Sequence, residues 1–124
     1  MAFVPAWKRF ETWVGDMIGG KRYWANAGEK VDCESDRFTA QCKLVRVASL
    51  GMLTQLAIEA RDQGMAVPAA RGGPKIGLVA VKLSGKRGNV RSPAVFILHE
   101  DAFRDLQRTL KYIDEAEAED PPLP

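Results

Sequence analysis

Histidine and cysteine are scarce in this sequence: it has one His, His99, and two Cys, Cys33 and Cys42. That is too few for the usual zinc sites, which draw four ligands from these residue types. A Cys33–Cys42 disulfide is conceivable if their strands pair, but an intracellular setting keeps thiols reduced, so both are read as buried free thiols. With no second histidine, His99 is expected to be structural or a helix cap rather than a metal ligand or a triad member. Long hydrophobic runs are also missing. No stretch approaches the ~18 apolar residues that a membrane span needs. Lys8, Arg9, Glu11 and Asp16 interrupt the apolar residues near the start, so no signal-peptide core is expected. The expected setting is the cell interior, with no membrane partner.

What is present is a single-domain complement. The chain has 124 residues, 46% of them hydrophobic, which allows one real core and leaves little room for a second. Its net charge of +2 hides an asymmetry. Residues 114–120 carry five acids and no base, leaving 18 basic against 11 acidic residues, or +7, in residues 1–113. A basic body with an acidic end suits a protein that meets nucleic acid, although a solvated tail that aids solubility explains the charge as well. Residues 1–113 are read as one domain and 114–124 as an acidic, Pro-rich disordered tail.

Periodicity then divides the chain. Phe10, Trp13, Val14, Met17 and Ile18 recur at helical spacing after Pro5, and Gly19-Gly20 supplies a stop. Glu11 lies beside this apolar stripe. Residues 21–24 are expected to form a short strand. Val31–Glu34 and Phe38–Val45 read as a hairpin turned at Ser35-Asp36. A second helix is expected from Ser49, its N-cap, to Gln63, with Gly64 past its end and Leu53, Leu56, Ala57 and Ala60 facing the core. Ile76–Leu83 and Ala94–Leu98 read as buried strands. A last helix places Phe103, Leu106, Leu110 and Ile113 on one side. The order αβββαββα argues for an α/β domain, a central mixed β-sheet flanked by helices.

The hairpin carries the most specific polar pattern. Strand alternation puts Gln41 and Lys43 on one face and Cys42 on the other. With a loop of Ser35–Phe38, Asp32 falls opposite Gln41, so one face gathers a carboxylate, an amide and an ammonium. An amphipathic surface ribbon with its polar face in solvent has the same pattern.

Asp32 followed, after eight residues, by Gln41-Cys42-Lys43 resembles the D…(D/E/Q)-x-K signature of the PD-(D/E)XK nucleases. The leading helix with Glu11, the Gly19-Gly20-Lys21-Arg22 step and the following helix resemble phage Holliday-junction resolvase-like members. The similarity spans roughly residues 6–64 and implies a restriction-endonuclease-like core. It implies Mg²⁺, with Mn²⁺ as substitute, held by Asp32, Gln41, the Cys42 carbonyl and Glu11, while Lys43 positions water or stabilises phosphate charge. Gln41 departs from the usual acid, as in Mrr-like enzymes with Q-x-K, and a neutral amide attracts a hard cation less than glutamate. Glu34, two residues from Asp32, is a candidate to restore that charge. The implied activity is DNA endonuclease cleavage, including Holliday-junction or branched-DNA resolution, by a homodimer in the cytoplasm (the host's, if phage-encoded). A catalytically silent DNA-binding protein of the same fold is the alternative.

Further residues are candidates for DNA contact. Lys21 and Arg22 follow the first helix where the resembling family meets DNA backbone. Gln55 on the second helix matches a polar substrate-touching position, or is an exposed glutamine. From Arg71 to Arg91 there are Arg71, Lys75, Lys82, Lys86, Arg87 and Arg91 and no acid. With glycines among them, this reads as a basic loop that tracks phosphates. Tyr23 and Trp24 suit base stacking or, more ordinarily, core packing.

Overall fold

The computed structural model describes residues 5–22, 31–83 and 93–119. Helix α1 (Ala6–Met17) leads into short strands β1 (Lys21–Arg22) and β2 (Cys33–Glu34), then β3 (Phe38–Val45) and helix α2 (Leu50–Met65). A 3-10 turn (Ala69–Arg71) precedes β4 (Ile76–Leu83), β5 (Val95–Ile97) and helix α3 (Glu100–Glu119). The five strands form one sheet in chain order. β1, β2 and β3 are antiparallel, β4 runs parallel to β3, and β5 is antiparallel to β4. The expected α/β class and the order αβββαββα are therefore what the chain adopts.

Alternation along the paired strands gives the sheet two buried faces. Cys33, Ala40, Leu78 and Ala80 pack with Phe10 and Val14 of α1 on one face. Val79 and Val81 pack with Ala60 of α2 on the other, joined by Leu53, Leu56 and Val45. The parallel β3–β4 pair needs a crossover, and α2 supplies it. β4, covered on both sides, is buried from Ile76 through Val81, the near-continuous hydrophobic reading typical of such strands.

α1 ends at Gly19, whose φ of +77° is one that residues with a Cβ rarely adopt. Its buried residues are Phe10, Glu11, Val14 and Gly15. Trp13 and Met17, expected on the buried stripe, are 45% and 50% exposed. Glu11 takes their place because the helix is rolled toward the β1–β2 side of the sheet. The Ser49 hydroxyl caps α2 by accepting from Met52 N at 3.1 Å. Gly64, expected past the helix end, lies inside it and is buried, because α2 and β4 touch backbone to backbone there.

α3 runs six residues beyond Ile113 to Glu119, through the segment expected to begin a disordered tail. Its Glu/Ala composition favours helix, and Lys111 lies 4.0 Å from Glu115 one turn on. Phe103 and Leu110 remain half exposed. Among the described residues no helix is long and apolar enough to cross a membrane.

Candidate active site

The hairpin turns as expected. Ser35 N donates to Phe38 O at 2.8 Å, and Phe38 N donates to the Ser35 hydroxyl at 3.1 Å, leaving Asp36-Arg37 as the loop. Cys33 stands across from Ala40 and Glu34 across from Thr39. The ladder then departs from the simple expectation. Asp32 N donates to Ala40 O at 3.0 Å, and the Asp32 carboxylate accepts from Cys42 N at 2.8 Å. In a continued ladder that N–H would donate to the carbonyl of residue 31. Asp32 thus ends the strand pairing with its own side chain, and a charge-assisted bond anchors it on β3.

Glu11 approaches from α1 and is only 8% exposed. Burial raises its pKa most, and the negative charge of Asp32 raises it further, against the lowering influence of Arg22. Arg22 Nε lies 3.4 Å from Glu11 Oε2. The Cys33 thiol donates to the Glu11 carbonyl at 3.1 Å, which ties β2 to the helix. Helix and hairpin therefore bring two carboxylates into mutual electrostatic reach. Cys42 joins them: its thiol, pushed up chiefly by the Cys33 hydrogen bond and by burial, also feels both acids. The sulfurs of Cys33 and Cys42 are 3.9 Å apart and both thiols are free, as expected.

Gln41 and Lys43 alternate to the α2 face. There the Gln41 amide NH₂ donates to the side-chain oxygen of Gln63. Lys43 is half-buried, its backbone paired across from Val81, and no hydrogen bond or ion pair ties it to the described residues. Among the described residues no group of three or more His, Cys, Asp or Glu is placed to hold a metal ion. The expected site residues are thus divided: Glu11 and Asp32 approach one another from α1 and the hairpin, while the side chains of Gln41 and Lys43 lie on the α2 face.

Glu34 is placed otherwise than expected. It is 7% exposed, 3.5 Å from Arg71 and 3.7 Å from Lys75. Lys75, itself buried, also donates to Ser35 O at 2.7 Å. Arg71 and Lys75, expected to face phosphates, are thus engaged with Glu34, and Glu34 is placed with these cations. A buried carboxylate requires cations beside it, and the return of the chain from α2 to β4 delivers them. Lys21 is exposed on β1, while Arg22 is committed to Glu11. Gln55 is exposed and lies 3.5 Å from Glu59, one turn along α2. Tyr23, Trp24, Lys86, Arg87 and Arg91 lie outside the described residues.

His99 is a cap, as expected: its Nδ1 accepts from Asp101 N at 3.0 Å at the start of α3. Arg61 of α2 meets His99 Nε2 and Asp101, each at 3.1 Å. Gln63 is the participant that sequence reasoning missed. It continues the apolar stripe of α2, seven residues after Leu56 and three after Ala60, and a polar residue at such a position is the signal. The chain matches no family model, no curated protein and no solved structure.

Proposed function

We propose that this chain is a metal-dependent DNA endonuclease of the PD-(D/E)XK type. The observation that carries the reading is the Glu11–Asp32 pair, one acid from the leading helix and one from the hairpin, with Asp32 bonded to the backbone of the Gln41-Cys42-Lys43 strand. An acid such as Glu11, whose proton affinity is raised by burial and by a neighbouring carboxylate, gains from a cation beside it. Oxygen donors of this kind fit Mg²⁺ or Mn²⁺. The αβββα order of residues 6–65 is also what the resemblance implies.

In this reading Asp32 and Glu11 would hold the metal, with the Cys42 carbonyl as the next candidate donor, while Gln41 is engaged with Gln63. The bound ion supplies an acidified water and neutralises phosphate charge. Lys43 stabilises the charge that develops on the attacked phosphate. Lys21, exposed on β1, meets the DNA backbone near the site. A four-way junction presents two symmetric scissile phosphates, so a two-fold homodimer suits branched DNA. The cytoplasm, where DNA and reduced thiols coexist, is the proposed compartment.

The second reading is a catalytically silent DNA-binding protein. The neutral Gln41, held by Gln63, is the observation that favours it. Cleavage of labelled four-way junction and linear duplex DNA with Mg²⁺ or Mn²⁺ separates the two, with Asp32→Ala and Lys43→Ala as comparisons. Cutting that vanishes in both variants supports the nuclease. Binding without cutting in either metal rejects it in favour of the silent form.

A further inference from the structure

We propose that Cys33 and Cys42 are a redox-sensitive pair, oxidised by a low-molecular-weight disulfide to a cross-strand disulfide that staples β2 to β3. Neither thiol has a part in the proposed cleavage, in which Cys42 offers only its backbone carbonyl. Register brings the two together. Cys33 of β2 stands across from Ala40, so Cys42, two residues further along β3, shares its face of the sheet. Both side chains lie in the layer that Phe10 and Val14 of α1 cover. The Asp32 carboxylate accepts from Cys42 N at 2.8 Å and so pins β3 to the residue beside Cys33. The sulfurs are thereby held 3.9 Å apart. A disulfide bond is about 2.0 Å long, so rotation about the two Cα–Cβ bonds has about 1.9 Å to close.

The thiol hydrogens are arranged in series. Cys33 uses its single hydrogen on the Glu11 carbonyl, 3.1 Å away, so the contact between the sulfurs is a donation from Cys42 to Cys33. That contact and burial hold the Cys42 thiol in its protonated form. The pair therefore rests reduced in a thiol-rich compartment and oxidises only under a sustained load of disulfide. Exposure sets the order of events. Cys33 is fully buried, whereas Cys42 is half-buried and is the sulfur that a small disulfide reaches. The Cys42 sulfur gives up its proton, attacks one sulfur of the small disulfide and expels the other half as a thiolate. Cys33 then attacks the Cys42 sulfur and expels the second half. The two protons pass to the two small thiols released, the protein loses two electrons, and the small disulfide gains them. Cys33 no longer has a hydrogen for the Glu11 carbonyl, so β2 exchanges its tie to α1 for a covalent tie to β3.

The test titrates the folded full chain with oxidised glutathione, then alkylates the remaining thiols and weighs the intact protein. Wild type is expected to lose both alkylatable thiols together, to become lighter by two hydrogen atoms, and to retain no glutathione. Peptide mapping should join Cys33 to Cys42, and dithiothreitol should restore both thiols. The linked protein should melt about 5–15 °C above the reduced one. Cys33→Ala, folded by circular dichroism, should instead stop with one glutathione on Cys42. Wild type that keeps both thiols, retains glutathione, links two copies, or forms the bond only in urea overturns the pair. A linked protein that melts no higher than the reduced one overturns the staple. The wild-type mass alone decides the first point, whatever the variant does.

Discussion

Gly77 is the position where a single added carbon should cost this fold most. It lies second in β4, directly beneath α2. A methyl group there would stand 1.8 Å from the Ala60 carbonyl oxygen and 2.6 Å from its carbon. Ordinary contact lies near 3.5 Å, so the two backbones must part by about 1.5 Å. Neither can yield by a rotamer change, because both sides of the contact are main chain. Separation also loosens Ala60, Val79 and Val81, which close that face of the core. Overpacking that side chains absorb costs about 1–3 kcal/mol, and a backbone clash belongs at or above the top of that range.

Gly64 faces the same seam from the helix side, where a methyl would lie 2.6 Å from Lys75 O and 2.7 Å from Gly77 N. The shift needed is smaller, and alanine returns about 1 kcal/mol of helix propensity, so a net loss of only about 1–2 kcal/mol is expected. Gly51, with Ser49 Oγ at 4.0 Å as its nearest contact, is the open control. Gly51→Ala should stabilise by about 0.4–1 kcal/mol. Urea unfolding followed by circular dichroism reads the midpoints. The expected order of stability is Gly51→Ala, wild type, Gly64→Ala, then Gly77→Ala. A Gly77→Ala protein as stable as Gly64→Ala would refute the claim that backbone contact sets the α2–β4 distance.

Two other outcomes follow from buried charge. Lys75→Met should destabilise by about 3–5 kcal/mol by leaving Glu34 buried without one of its neighbouring cations, and the Lys75→Met/Glu34→Gln pair should recover much of that. Urea midpoints of the single and double variants check this, and a double variant no better than the single rejects the ion cluster as the cause. The raised pKa of Glu11 means that the folded state holds its proton more tightly than the unfolded state does. Stability should therefore fall as pH rises from the ordinary carboxylate range through the Glu11 value, and level off above it. Melting temperatures across that range should show a slope in wild type that Glu11→Gln lacks. Parallel curves would remove Glu11 as the source.

The elements themselves were legible locally. The hairpin register follows from Ser35 and Phe38 and from alternation along β3, and the order of helices and strands follows from period and from the glycine and serine signals at their ends. Asp32 and Gln41-Cys42-Lys43 could be placed together for the same reason, since only eight residues of hairpin separate Asp32 from Gln41. Partners distant in sequence were decided by packing alone. Arg71 and Lys75 look like a basic loop in sequence, yet the parallel crossover returns them to Glu34, about 40 residues earlier. Gln63 meets Gln41 only because α2 crosses the β3 face. Gly64 reads as a helix stop until β4 lies against it, and the roll of α1 substitutes Glu11 for Trp13 in the buried set. Sequence pattern fixes which way a side chain points from its own element. Which groups it meets there depends on how the elements dock, and close backbone approach and buried charge set that docking.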